Sequence, residues 1–354
     1  MAQTQPNTIS RYFDQVRISN ARITCYRDTY PDKLDQEAKE KRVANLSRGK
    51  YNGYLSHKTK IKIREYLHNW IGSVEQALKM CPKHKNKLRL DWVFVTLTLP
   101  CNQNHTDQEI KKGALKPFLH QMERLHGWRN WLYVCETQKN GNIHFHIVGD
   151  ARVNHREIRD LWNGYLRPLG YIQDYRDAQE YKHRNGFNYN KQASEHWTFE
   201  KQQVAYMNGL ASNWSDPNTT DIKRIKHVYN LPAYLTKYIT KSDSTRPIEG
   251  RLWGCSDKIR DIKPITIPLT YRTKQIFQQL ADEKGSQLFR TDFNWTLWRF
   301  DLHTLMHQYP VLAEIWHNYN YYSARHLYPE LKSSQFFKPI QARDLQYEFE
   351  FVSV

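Results

Sequence analysis

Apolar residues recur every three or four positions through Ile63, Leu67, Trp70, Ile71, Val74 and Leu78, which predicts an amphipathic helix beginning after an N-cap at Ser56. Lys58, Lys60, Lys62 and Arg64 crowd its first turns, as a solvated face or as a grip on phosphate. The pattern changes at Asp91–Pro100, DWVFVTLTLP, a β-branched and aromatic run that ends at proline and reads as a buried strand. Trp131–Asp150 reads as two strands around Lys139-Asn140-Gly141-Asn142, a hairpin signal. Between them Leu115, Phe118, Leu119 and Met122 predict a helix over Gln108–His126, and Ile158, Leu161 and Trp162 predict a capped helix from Asn154 to about Leu166. Further strands are expected at Arg17–Tyr26 and Ile222–Tyr229, and loops over Asp174–Glu200 and Ser242–Pro247. The expected class is α+β, a central antiparallel sheet with flanking helices, plus a mainly helical C-terminal region. Three regions are expected: a basic segment 1–90, a core domain 91–263, and a tail 264–354.

Charge sharpens this division. The 354 residues carry 53 Lys/Arg against 36 Asp/Glu, a formal net +17, with 14% aromatic residues. Cations meet phosphate and rings stack on bases, so the balance suits a nucleic-acid partner. The excess is uneven: residues 1–90 hold 19 Lys/Arg and 8 Asp/Glu, whereas residues 265–354 hold nine of each. Cys25, Cys81, Cys101, Cys135 and Cys255 include no C-x-x-C pair, which argues against a disulfide framework and a structural zinc site and for a reducing, cytoplasmic setting. No apolar run approaches the ~20 residues of a membrane helix.

Within the second hairpin strand, Ile143, Phe145 and Ile147 face one way and His144 and His146 the other. The two imidazoles are expected ~6.6 Å apart along the strand, within reach of one metal ion. Solvent-facing histidines would give the same pattern, but Glu136 and Gln138 alternate on one face of the partner strand and both can approach the pair. Two imidazoles and a carboxylate, with positions open for water and phosphate, suit Mg²⁺ or Mn²⁺; a hard cation prefers Glu136 to Gln138.

The segment Ala233–Lys241, AYLTKYITK, supplies a second constellation. On a helix capped by Asn230 and started by Pro232, Tyr234, Lys237, Tyr238 and Lys241 fall at i, i+3, i+4 and i+7 and share one stripe, with Leu235 and Ile239 beside it. Such a stripe can simply pack and solvate. Beside a metal it gains a purpose, since lysine cations lower a phenol pKa of ~10 and a metal polarises the phosphate under attack.

FVTLTLP (Phe94–Pro100), GNIHFHIV (Gly141–Val148) and YLTKYITK (Tyr234–Lys241), in this order and at these spacings, resemble the three motifs of the HUH rolling-circle replication initiators. Ile143-His144-Phe145-His146 satisfies the His–hydrophobic–His pattern for which that superfamily is named. The two-tyrosine form is similar to initiators of small single-stranded DNA phages and some bacterial plasmids, and GRLWGCS (Gly250–Ser256) resembles a segment that often follows the tyrosine motif. The resemblance implies an endonuclease fold with the first motif strand beside the histidine strand, and metal ligands His144, His146 and Glu136. It implies Tyr238 as the first nucleophile and Tyr234 for the second transfer, assisted by Lys237 and Lys241. It further implies a 5′-phosphotyrosine intermediate at a single-stranded origin in a bacterial cell. With no G-x-x-x-x-G-K-[ST] loop, a separate helicase and polymerase are the expected partners. A two-tyrosine transposase uses the same site, and a non-catalytic nucleic-acid-binding protein is the alternative outside this chemistry. A relaxase is disfavoured, since neither a three-histidine cluster nor an N-terminal tyrosine is present.

Overall fold

The computed structural model describes residues 12–20, 22–29, 52–80, 90–193, 197–225, 245–268, 287–290, 294–298 and 310–331, with isolated positions between these runs. In chain order the elements begin with β1 (Tyr12–Ile18), β2 (Arg22–Thr29), α1 (His57–Met80) and β3 (Val93–Leu97). Then come α2 (Asp107–Ile110), a π-helical turn (Lys111–Leu115) and α3 (Lys116–Leu125), followed by β4 (Trp131–Thr137) and β5 (Ile143–Gly149). Helices α4 (His155–Leu166), α5 (Tyr171–Lys182) and α6 (Phe199–Ala211) lead to β6 (Thr220–Arg224) and β7 (Trp253–Cys255). The last described elements are α7 (Asp257–Arg260), β8 (Ile265–Pro268), β9 (Gln287–Arg290), β10 (Asn294–Trp298) and α8 (Pro310–Leu327).

The chain divides into two units, one of residues 52–60 and 89–256, the other of residues 1–51, 61–88 and 257–354. The first holds an antiparallel sheet of order β6-β3-β5-β4-β7. Strand β5 sits between β3 and β4, buried along its whole length. One face of the sheet carries Val93, Val95, Leu97, Tyr133, Cys135, Ile143, Phe145 and Ile147, which join Ile110, Phe118 and Met122 and Ile158 and Trp162 of α4 in a single core. The opposite face presents Phe94, Thr96, Val134, Glu136, His144 and His146, by strand alternation. The cap predicted at Asn154 is made by its side chain accepting from the Arg156 N–H at 2.8 Å, and Ser56 Oγ accepts from the Thr59 N–H at 3.2 Å.

In the other unit the order is β8-β1-β2-β10-β9, all antiparallel. The strand expected at Arg17–Tyr26 is a hairpin there: the Ser19 N–H donates to the Arg22 carbonyl and turns the chain between β1 and β2. The C-terminal segment contributes three strands beside its long helix, so the two ends of the sequence share one sheet, with Cys25 opposite Trp295. Asn20 ties this unit together, its amide donating to Asn320 Oδ1 at 2.8 Å and Ser73 Oγ at 3.1 Å. The stretch expected as loop over Asp174–Glu200 begins inside α5 instead. That helix buries only Tyr171 and Ile172 and is otherwise polar, held by an Arg176–Glu180 pair one turn apart, so it shows almost no apolar period. No helix among the described residues is long and apolar enough to cross a membrane.

Candidate metal centre

Register brings the site together. Glu136 lies directly opposite His144 across the β4–β5 pair, while Thr96 and Val134 flank His146 on either side. The imidazole centroids of His144 and His146 are 4.5 Å apart with ring planes at 78°. Oε1 of Glu136 is 2.7 Å from Nε2 of His146 and 3.9 Å from Nε2 of His144. One ligand atom from each of the three residues lies within 4.8 Å of the other two, the spacing of donors around one ion. Of Glu136 and Gln138, it is Glu136 whose side chain meets the histidines.

The surroundings prepare these donors. Burial, then the neighbouring His146, lowers the pKa of His144 from 6.5 to about 4, against a smaller opposing pull from Glu136, so its ring is neutral and keeps a lone pair. Its Nδ1 is buried without a hydrogen-bond partner. Nδ1 of His146 lies 3.2 Å from Thr96 Oγ1. Donation from that nitrogen to the hydroxyl fixes the tautomer in which Nε2 faces Glu136 as a ligand atom. Phe94 stacks on the same ring at 5.3 Å and 15°, which holds its plane. The donor set therefore fits a divalent cation, and an uncompensated Glu136 carboxylate beside two neutral imidazoles is its natural complement. Sequence reading missed Thr96 and Phe94. Their signal was alternation along β3, which puts both on the histidine face once the β3–β5 pairing is known.

A second device fixes the rim of the centre. Asp107 is 1% exposed and accepts from both terminal nitrogens of Arg246, at 2.7 and 2.8 Å. It also accepts from Gln103 Nε2 at 2.8 Å and from the Glu249 N–H at 2.9 Å. Arg246 Nε donates to the Gly141 carbonyl at 2.8 Å, and Gln103 Oε1 accepts from the Ile143 N–H at 2.7 Å. Gly141 has φ +86°, a conformation that suits glycine and closes the hairpin next to the histidine strand. The clamp thus joins the loop after β3, the hairpin turn and the segment entering β7. Burial alone would raise the Asp107 pKa; the hydrogen bonds from Arg246, Gln103 and Glu249, with the guanidinium charge, outweigh it and hold the carboxyl below 3.8. Its contribution to stability is accordingly present above the ordinary carboxylate range and lost as pH falls below about 3.8. Asp107→Asn is expected to cost about 3 kcal/mol at neutral pH, because it strands a partly buried guanidinium. Urea denaturation of the two proteins at pH 7 and pH 3 checks this: the gap should narrow at the lower pH.

Tyr234, Lys237, Tyr238 and Lys241 lie outside the described residues, which resume at Thr245 after a break from residue 226. Residues 92–243 match the family model of the replication-associated protein ORF2, 152 of the 354 residues. That span takes in β3, the histidine hairpin and the tyrosine segment. Comparison with curated proteins and comparison with solved structures each return no match.

Proposed function

We propose that this chain initiates rolling-circle DNA replication, nicking and rejoining single-stranded DNA at an origin through a 5′-phosphotyrosine intermediate. The observation that carries the reading is the Glu136–His144–His146 cluster, set in the span that matches a replication-associated family. Mg²⁺ or Mn²⁺ bound there would act as a Lewis acid toward a phosphodiester oxygen. Glu136, His144 and His146 hold the ion, Thr96 and Phe94 orient His146, and the Asp107–Arg246 clamp keeps the hairpin turn in place.

The Tyr238 oxygen attacks phosphorus, the bond from phosphorus to O3′ breaks, and a free 3′-hydroxyl remains while the 5′ phosphate stays on the tyrosine. The phenolic proton is lost to solvent and the departing oxygen gains one. Lys237 and Lys241, on the same helical stripe, favour the phenolate. One phosphodiester is exchanged for another, so the step needs no nucleotide hydrolysis. The free 3′-hydroxyl then primes synthesis, for which a separate helicase and polymerase are required.

The test is to incubate the purified chain and Mn²⁺ with single-stranded oligonucleotides tiling the replicon's origin region. A denaturant-stable protein–DNA adduct, mapped by mass spectrometry to residues 233–241, is the expected result. Single-strand binding without any adduct across the whole tiling set would leave a DNA-binding protein with no transfer chemistry.

A further inference from the structure

Behind the histidine face, in the same unit, the sheet and α3 enclose a cleft of ≈ 630 Å³. Its floor is Leu115, Leu119, Trp131 and Tyr133, and its rim carries Lys112, Lys116 and Arg251. Trp131 and Tyr133 alternate along β4 with Glu136, so the cleft and the metal centre lie on opposite faces of the strand. The volume is in the ~300–1,000 Å³ range of small-ligand sites.

Three features make this a built recess. The two rings stack at 5.9 Å and 24°. Gly254 of β7 lies against Tyr133, where a Cβ would come within 2.7 Å of the ring, so only glycine permits the close approach. The helix above changes to π geometry over Lys111–Leu115, with the Lys116 N–H reaching back to the Lys111 carbonyl, and π turns recur at functional sites. The acid nearest the rings, Glu123, is occupied by the Trp131 Nε1–H at 2.7 Å. Lys111 directs its ammonium to the Glu249 carbonyl, whereas Lys112, Lys116 and Arg251 are exposed at the rim. An aromatic and aliphatic floor under a cationic rim matches a flat ring joined to phosphate.

We propose that this cleft is a second nucleic-acid site, which holds an unpaired nucleotide of single-stranded DNA away from the point of cleavage. It rests on the reading of the chain as an enzyme of single-stranded DNA. Lys112 and Lys116, one helical turn apart at ~5–6 Å between Cβ atoms, face Arg251 across the cleft. Cations spread in this way along two walls suit successive phosphates of a strand better than the one phosphate of a mononucleotide. The base rests on the aromatic floor, a sequence-tolerant contact. Strand passed to the back of the sheet is thereby kept from the metal centre after the nick.

The test compares the wild-type chain with Lys112→Glu/Lys116→Glu on two oligonucleotides, one spanning only the cleavage point and one extended well beyond it on both sides. The double variant should nick the short oligonucleotide at the wild-type rate. It should bind the extended one roughly tenfold more weakly, with a log K against log salt slope shallower by about 1.4, two phosphates at ~0.7 each. Trp131 fluorescence, quenched by the extended oligonucleotide in the wild type, should respond less. Equal affinity and equal slope for the two proteins would overturn the proposal, as would a thymidine monophosphate that competes as well as the extended strand. A wild-type chain that binds but nicks neither oligonucleotide counts against the proposed function alone, and the slope comparison still decides the cleft.

Discussion

Tyr238→Phe is expected to abolish formation of the covalent DNA adduct, lowering the nicking rate roughly 10⁴-fold or more. Phenylalanine keeps the ring that packs on the helix and removes the one atom that attacks phosphorus, so the loss is chemical and not structural. A phenol of pKa ~10 is little ionised at neutral pH. The cations at Lys237 and Lys241 therefore act by stabilising phenolate, and Lys237→Ala should slow the step without removing it. Tyr234→Phe separates the two tyrosines. One round of rolling-circle synthesis regenerates the origin while the first tyrosine still holds its 5′ end, so a second phenol one helical turn away is needed to cleave and join. The Tyr234 variant should consequently form the first adduct and release multimeric strands in place of unit circles. Mass spectrometry of the trapped peptide checks both. An adduct on neither residue would reduce the stripe to a helix face.

Replacing both His144 and His146 by alanine is expected to eliminate nicking and high-affinity Mn²⁺ binding together, with single-strand affinity largely retained. The two rings and Glu136 are the only three-residue His, Cys, Asp or Glu grouping of ligand spacing among the described residues, so no neighbouring donor there can substitute. Full nicking by the double variant in EDTA would sink the metal assignment. Glu136→Ala should weaken Mn²⁺ more than Gln138→Ala, because the Glu136 carboxylate lies 2.7 Å from His146. Thr96→Val should cost about 10-fold in Mn²⁺ affinity, since it removes the hydroxyl that orients His146 and leaves the ligands in place. Titration followed by the Mn²⁺ electron paramagnetic resonance signal ranks all four.

Much of the centre was legible because its signals are local. Ile143-His144-Phe145-His146 declares by period two that both imidazoles share a face, and Asn140-Gly141 marks the turn that brings β4 back alongside. The expected ~6.6 Å separation along the strand became 4.5 Å between rings, since two side chains on one face can lean together. Helix α5 escaped notice for the converse reason: it buries two residues at its start and shows no stripe thereafter. Strands β8, β9 and β10 are four or five residues long, and two of them owe their place to partners near the other end of the chain. Nothing within such short runs announces a partner some 270 residues away.

The sequence by itself determined the α+β class, the histidine hairpin and the helices of the core, because each follows from side-chain periodicity along one segment. Tertiary structure decided which donor completes the metal centre, since the contact of Glu136 with both rings depends on strand register. It also placed Thr96 and Phe94 around His146 through the β3–β5 pairing, and joined Asp107 to Arg246 across 139 residues of sequence. The Trp131–Tyr133 cleft likewise exists only where α3, β4 and β7 meet. Pairings of this kind are set by how elements pack, and a one-dimensional pattern of apolar and polar positions does not contain them.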